Sequence, residues 1–108
     1  MPVDSAQVLV IGGGAIGGVT AALLAGRVGR VVVLDPAAEH VARMRDPGLH
    51  VVLDVGERTV RLDARASANE LHGRFDLALL TVKAAHLEAA LAPLVARDAA
   101  DAYVSLGN

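Results

Sequence analysis

The chain has 108 residues, 54% of them hydrophobic and only 2% aromatic, with no cysteine and a formal net charge of -2 at pH 7. This length suffices for one compact domain with a buried core, and the absence of cysteine excludes disulfides, a thiolate zinc site and a cysteine nucleophile. The slightly acidic balance and the scarcity of aromatic side chains argue against a nucleic-acid partner, which needs a basic surface and stacking platforms.

An uncharged run over residues 5–26 is about as long as a membrane-spanning helix requires. Six glycines interrupt it, however, and would weaken a helix exposed to lipid: Gly12, Gly13, Gly14, Gly17, Gly18 and Gly26. The acidic Asp4 precedes the run, where a secretory signal carries basic residues. We therefore expect no membrane segment and a cytoplasmic protein.

The first half of the chain is predicted to form two successive strand–helix units. The aliphatic Gln7–Ile11 run is typical of a strand buried on both faces of a parallel sheet. Apolar residues at helical spacing predict a helix over 15–28, with Gly29 placed to end it. A second buried strand over 31–35 and a second helix over 36–45 follow.

The middle of the chain has a different pattern. Segments 49–54 and 58–63 flank a glycine-containing turn, and the second segment alternates apolar and polar residues, which predicts an antiparallel hairpin inserted into the fold. The sequence 67–70 has the form of a capping box, which predicts a short helix ending at Gly73.

The last third is predicted to return to the parallel sheet. An apolar strand over 76–82 ends at Lys83, and an alanine- and leucine-rich stretch over 84–97 predicts helix. Pro93 is expected to divide that stretch into two consecutive helices because proline removes a hydrogen bond from a helix interior. A final strand is predicted over 102–106.

A glycine motif links the first strand to the first helix. Gly12, Gly14 and Gly17 satisfy the G-x-G-x-x-G pattern, and Asp35 ends the next strand 18 residues after Gly17. In this context the first glycine allows a tight turn, the second lets backbone approach a pyrophosphate, and the third lets helix and strand pack closely. The pattern favours a dinucleotide-binding, Rossmann-type doubly wound α/β fold over a glycine turn that binds nothing.

Asp35 bears on the choice of cofactor. Its carboxylate can accept hydrogen bonds from the adenosine ribose of NAD and would repel the 2′-phosphate of NADP. A second interpretation, compatible with the first, is that Asp35 caps a helix that begins at Pro36. Arg43 and Arg45, on the following helix, could instead turn toward a phosphate. We expect NAD(P)H to bind, with Asp35 favouring NADH.

The chain resembles the amino-terminal domain of ketopantoate reductases (2-dehydropantoate 2-reductases) in three segments: 12–18, 76–84 and 104–108. The resemblance spans the whole chain and implies that residues 1–108 are the dinucleotide-binding domain of a two-domain enzyme. Members of the family use NADPH to reduce a 2-oxo acid to a 2-hydroxy acid in the pantothenate pathway, which leads to coenzyme A. Their second, helical domain, which supplies a general-acid lysine and most substrate contacts, is absent from these residues.

The resemblance implies two catalytic positions, Lys83 at the end of the fourth core strand and Asn108. The expected cofactor-binding residues are those of the glycine turn, the acid and the strand end: Gly12, Gly13, Gly14, Ala15, Ile16, Gly17, Asp35, Thr81, Val82, Lys83 and Asn108.

This chain also departs from the family pattern. Asp35 and Pro36 stand where NADPH-using members usually carry an arginine, and Ala85 and His86 stand where many have an aromatic residue and a glutamine. His86 could serve as a proton donor or simply be solvated at a helix start. The other three histidines have no ligand spacing, so we assign them no metal or base role: His40, His50 and His72.

We therefore expect a domain that binds cofactor without turnover, with the 2-oxo acid held through the absent domain. Two rival hypotheses are a stand-alone nucleotide-sensing regulatory domain and a flavin-binding fragment, since the same fingerprint serves both. A homodimer is possible through aliphatic surface that a second domain would otherwise cover.

Overall fold

The structure, a computed structural model, describes residues 3–106. Its strands are β1 (Gln7–Ile11), β2 (Arg30–Leu34), β3 (Leu49–Leu53), β4 (Gly56–Val60), β5 (Asp63–Arg65), β6 (Phe75–Leu80) and β7 (Ala100–Ser105). Its helices are α1 (Ala15–Leu24), α2 (Ala38–Arg43) and α3 (Ala84–Ala96), with short helical turns at Val3–Ser5 and Ala68–Glu70. The segment Met44–Gly48 after α2 is a turn in which Asp46 has an extended backbone.

Five strands form one parallel sheet in the order β5-β2-β1-β6-β7. The chain builds outward from β1 toward β2 and β5, then returns to add β6 and β7 on the other side. The direction of winding therefore reverses between β1 and β6, and ligands of such sheets bind outside the carboxyl ends of the strands at that point. The predicted doubly wound, mainly parallel fold is confirmed.

The core lies in two layers, one on each face of the sheet. Along β1, Leu9 and Ile11 join the layer that contains Leu94 of α3, whereas Val10 joins the layer that contains Ala21 of α1. Both faces of the strand are buried, which explains why its sequence is aliphatic without alternation.

The uncharged run is divided, as expected, between a strand and a helix separated by the glycine turn. Helix α1 is shorter than predicted: it ends at Leu24, and Gly26, with φ of +83°, turns the chain instead of Gly29. Helix α2 begins only at Ala38 and passes into the turn Met44–Gly48. Among residues 3–106 no helix is both long and apolar enough to cross a bilayer.

The hairpin is confirmed, but its second arm is β4, which ends at Val60, and not 58–63. The chain leaves the hairpin through the buried Leu62, whose N–H donates to the Met44 carbonyl at 2.9 Å. It then forms β5, which pairs in parallel with β2 at the edge of the main sheet. One alternating stretch of sequence thus contributes to two different sheets.

The capping sequence is confirmed in outline. Ser67 Oγ accepts a hydrogen bond from the Asn69 N–H at 3.3 Å, and the Glu70 carboxylate accepts one from the Ala66 N–H at 3.0 Å. These bonds stabilise the single turn Ala68–Glu70, and no helix extends to Gly73.

The prediction that Pro93 divides the last helix is wrong, because α3 runs unbroken from Ala84 to Ala96. Proline removes the bond to the carbonyl four residues earlier, that of Ala89. Both residues are exposed, so water can bond that carbonyl, while the fully buried Leu94 anchors the last turn. The strands β6 and β7 also begin one or two residues earlier than predicted.

Candidate functional site

A cavity of about 710 Å³ opens at the carboxyl ends of β1, β2 and β6, at the point where the winding reverses. Residues of the glycine turn, of the three strand ends, of the segment after β5 and of one side of α3 line it: Ile11, Gly12, Gly14, Leu34, Asp35, Pro36, Ala66, Ala68, Thr81, Val82, Lys83, His86, Ala89, Ala90 and Pro93. Its volume is in the range of small-molecule and cofactor sites.

The glycine turn is shaped by two close approaches that only glycine permits. Gly12 has φ of +102°, and a Cβ there would lie 2.8 Å from Thr81 Oγ1. A Cβ at Gly17 would overlap the carbonyl oxygen of Gly12, so α1 can pack this closely on the turn only without a side chain. Gly14 differs, because a Cβ there would meet nothing within 4 Å. Gly14 is also one of the residues that line the cavity.

Helix α1 begins directly after this turn. Its hydrogen-bond ladder starts with the Gly18 N–H, which donates to the Gly14 carbonyl at 2.7 Å. The N–H groups of Ala15 and Ile16 precede that bond and have no acceptor within the helix. They give the start of α1 the donors and the partial positive charge that attract an anion.

Asp35 lies at the end of β2, half-buried, and both of its carboxylate oxygens are engaged. Oδ2 accepts a hydrogen bond from the Gly13 N–H at 2.7 Å, and Oδ1 accepts one from the Ala37 N–H at 2.8 Å. The expectation that Asp35 caps a helix starting at Pro36 is wrong, because α2 begins at Ala38 with Ala37 as its N-cap. A carboxylate has about four acceptor positions, so Asp35 retains capacity for a ligand hydroxyl.

The end of β6 is joined to the glycine turn by Thr81. Its N–H donates to the Ile11 carbonyl at 2.9 Å, and its hydroxyl lies 2.9 Å from that same oxygen and 3.0 Å from the Gly12 carbonyl. Val82 and Lys83 follow and line the cavity, with Lys83 exposed at the N-cap of α3. His86, in the first turn of α3, also lines the cavity.

Lys83 is the only lysine or arginine among the lining residues that the structure describes. Arg43 lies 3.9 Å from Glu39, and neither it nor Arg45 lines the cavity. Arg65 is close by, since its carbonyl accepts from the Asp35 N–H at 3.0 Å. Its side chain, however, is committed to Asp63 at 2.8 Å, and this hydrogen bond raises the pKa of Arg65.

The structure thus brings together the predicted glycine turn, Asp35 and the segment from Thr81 to Lys83. Ala15 and Ile16 lie beside them in the first turn of α1. Asn108 lies outside the described residues, so its assignment stays a prediction. Within residues 3–106 no three His, Asp or Glu side chains are grouped so as to hold a metal ion.

His40, to which the sequence assigns no metal or base role, contacts the glycine turn. Its Nε2 atom makes a hydrogen bond to the carbonyl oxygen of Gly13, within the glycine turn. The two atoms come from residues 27 apart, so no local pattern reveals the contact. His50, by contrast, lies 3.1 Å from Glu57 on the hairpin, and His72 contributes a backbone oxygen to Arg30 at 2.9 Å.

Comparison with known proteins gives a family and a set of related folds. Residues 8–106 match the family model described as ketopantoate reductase PanE/ApbA. Similar solved structures include the probable 2-dehydropantoate 2-reductase from Bacillus subtilis (TM-score 0.77, 24% identity) and a ternary structure of D-mandelate dehydrogenase with NADH and anilino(oxo)acetate (TM-score 0.77, 24% identity). The 2-dehydropantoate 2-reductase from Methylococcus capsulatus is 33% identical, with a TM-score of 0.70.

Each of these matches covers 94% of this chain and 33% of the other, so the chain spans about a third of the length of those structures. No curated protein sequence matches it significantly.

Proposed function

The chain belongs to the ketopantoate reductase family, and from that premise we propose that it is the NAD(P)-binding domain of a 2-dehydropantoate 2-reductase-like oxidoreductase. One observation carries the proposal: a single cavity at the reversal of winding is lined by the glycine turn, by Asp35 and by Lys83. Bound NAD(P)H would supply the hydride that the whole enzyme delivers to the carbonyl carbon of a 2-oxo acid.

The residues present fit a dinucleotide. Gly14 leaves open space beside backbone donors at the start of α1, which suits a pyrophosphate, and Asp35 offers acceptors for the adenosine ribose. Ala66, Ala68 and the α3 residues Ala89 and Ala90 add an apolar part to the lining of the cavity. Lys83 lies at the other side of the turn, at the end of β6, where it would hold the nicotinamide end and an anionic 2-oxo acid.

NADH is the cofactor that Asp35 favours. A 2′-phosphate carries about -1.5 to -2 charges at neutral pH. If a phosphate charge lay about 4 Å from the carboxylate, at an effective dielectric constant near 20, it would make the free energy of binding less favourable by about 4 kcal/mol. Screening by salt would reduce this value. No arginine lines the cavity within the described residues, so the lining offers a 2′-phosphate no guanidinium beside Asp35.

Catalysis needs more than this domain. Because the chain spans about a third of its structural relatives, we assign the remaining substrate contacts to the rest of a longer enzyme. On its own, the 108-residue chain should bind NADH without reducing ketopantoate.

A fluorescence titration tests the proposal. The chain has no tryptophan and one tyrosine, so the emission of bound NADH can be followed against a weak protein background. We expect saturable binding, tighter for NADH than for NADPH, and no loss of NADH absorbance after ketopantoate is added. Absence of binding to either dinucleotide would overturn the proposal, and a yellow, flavin-containing preparation would favour a flavoprotein fragment.

A further inference from the structure

His40 makes a hydrogen bond to one backbone atom of the glycine turn, the carbonyl oxygen of Gly13. A carbonyl oxygen can only accept, so in the bond to Gly13 the Nε2 atom of His40 must carry the proton and donate it. The N–H of the same residue, Gly13, donates to Asp35. Both polar groups of Gly13 are therefore held by side chains from the segment that follows β2.

This bond fixes the direction of the next N–H group. The only cis peptide bond among the described residues joins Asp46 to Pro47, so the peptide between Gly13 and Gly14 is trans. In a planar trans peptide the C=O and the following N–H point in opposite directions. A Gly13 carbonyl held on His40 therefore directs the Gly14 N–H away from α2.

The Gly14 N–H is available to a ligand. No group of residues 3–106 accepts a hydrogen bond from it, and Gly14 lines the cavity. The Gly13 carbonyl, in turn, precedes the ladder of α1, whose first acceptor is the Gly14 oxygen. Among the described residues, the bond from His40 is therefore the only hydrogen bond made to the Gly13–Gly14 peptide.

We propose that His40 is a positioning residue that orients the Gly14 N–H toward the pyrophosphate of the dinucleotide, an inference that rests on the proposed function. His40 itself does not line the cavity, so it acts through the Gly13–Gly14 peptide and not by touching the cofactor. A hydrogen bond from a pre-oriented N–H to a phosphate oxygen is charge-assisted and therefore among the stronger ones.

Three substitutions of His40 distinguish the hydrogen bond to Gly13 from packing of the side chain. In His40→Gln the amide nitrogen occupies nearly the position of Nε2 and can donate to the same carbonyl, whereas in His40→Asn the side chain is too short to reach it. His40→Ala removes the donor altogether. The Gly14 amide nitrogen shift in an NMR spectrum of each variant reports the hydrogen bond on the preceding carbonyl.

We expect His40→Ala and His40→Asn to bind NADH about tenfold more weakly, as for the loss of one charge-assisted hydrogen bond, and to shift the Gly14 nitrogen resonance. His40→Gln should restore both quantities to near the wild-type values. If His40→Ala fails to fold, the pair of Gln and Asn variants provides the same comparison at nearly constant polarity.

Failure of the inference about His40 and failure of the proposed function give different results. Wild-type-like NADH affinity in folded His40→Asn would overturn the inference while leaving the proposed function intact, as would equal losses in the Gln and Asn variants. Failure of the wild-type chain itself to bind NADH would overturn the proposed function, and the inference with it.

Discussion

Replacement of Gly14 by alanine is expected to weaken the binding of NADH while leaving the stability of the fold nearly unchanged. Gly14 has φ of -74° and ψ of -159°, an extended conformation open to any residue, and its added Cβ would meet no protein atom within 4 Å. Alanine lowers the entropy of the unfolded chain, worth about 0.4–1 kcal/mol, but is a poorer N-cap than glycine by a similar amount. The free energy of unfolding should therefore change by less than about 1 kcal/mol, or about 8 °C in Tm.

In the proposed binding mode, the same methyl group would enter the space that the pyrophosphate occupies. Insertion of a methyl group into a filled site costs about 1–3 kcal/mol, so the Kd for NADH should rise between about fivefold and a hundredfold. NADH fluorescence measures the affinity, and a thermal melt of the unliganded chain measures the stability.

Gly26→Ala is the matched control. Gly26 has φ of +83° and does not line the cavity. Alanine in that conformation costs about 1–2 kcal/mol, so this variant should lose stability and keep its affinity for NADH. If Gly14→Ala binds NADH as tightly as the wild type, or if both variants lose affinity equally, the placement of the pyrophosphate at the glycine turn is refuted.

Further substitutions test the role of Asp35 and the packing of α3. Asp35→Asn should raise the affinity for NADPH relative to NADH by about tenfold or more in parallel titrations, because it removes the repelling charge, and an unchanged ratio would contradict this. Leu94→Ala should cost about 2–5 kcal/mol in denaturant unfolding because Leu94 is fully buried, whereas Val95→Ala, at a side chain that is 59% exposed, should be close to neutral. Pro93→Ala should raise Tm by several degrees, since alanine restores the N–H that can bond the Ala89 carbonyl, and a lower Tm would show that the proline ring stabilises α3.

The sequence predicted those parts of the fold that are determined locally. The strand β1, the glycine turn and the start of α1 were all identified, because a strand buried on both faces must be aliphatic and a turn this tight must be glycine. Asp35 was identified because its position at the end of the second strand follows from the same pattern.

The remaining features depend on contacts distant in sequence. Strand β5 has only three residues, Asp63–Arg65, of which Ala64 alone is buried, so it carries no signal apart from its pairing with β2. Pro93 was expected to break α3, but the helix is stabilised by packing through Leu94, and tertiary contacts commonly outweigh local propensity. The role of His40 depends on a bond across 27 residues.

An NMR titration of the isotope-labelled chain with NADH locates the dinucleotide site residue by residue. We expect chemical-shift changes at residues 12–17, at Asp35 and at residues 81–83, with the hairpin of β3 and β4 unaffected. No change at saturating NADH, or changes confined to the hairpin or to the amino-terminal ends of the strands, would contradict the assignment of this cavity as the dinucleotide site.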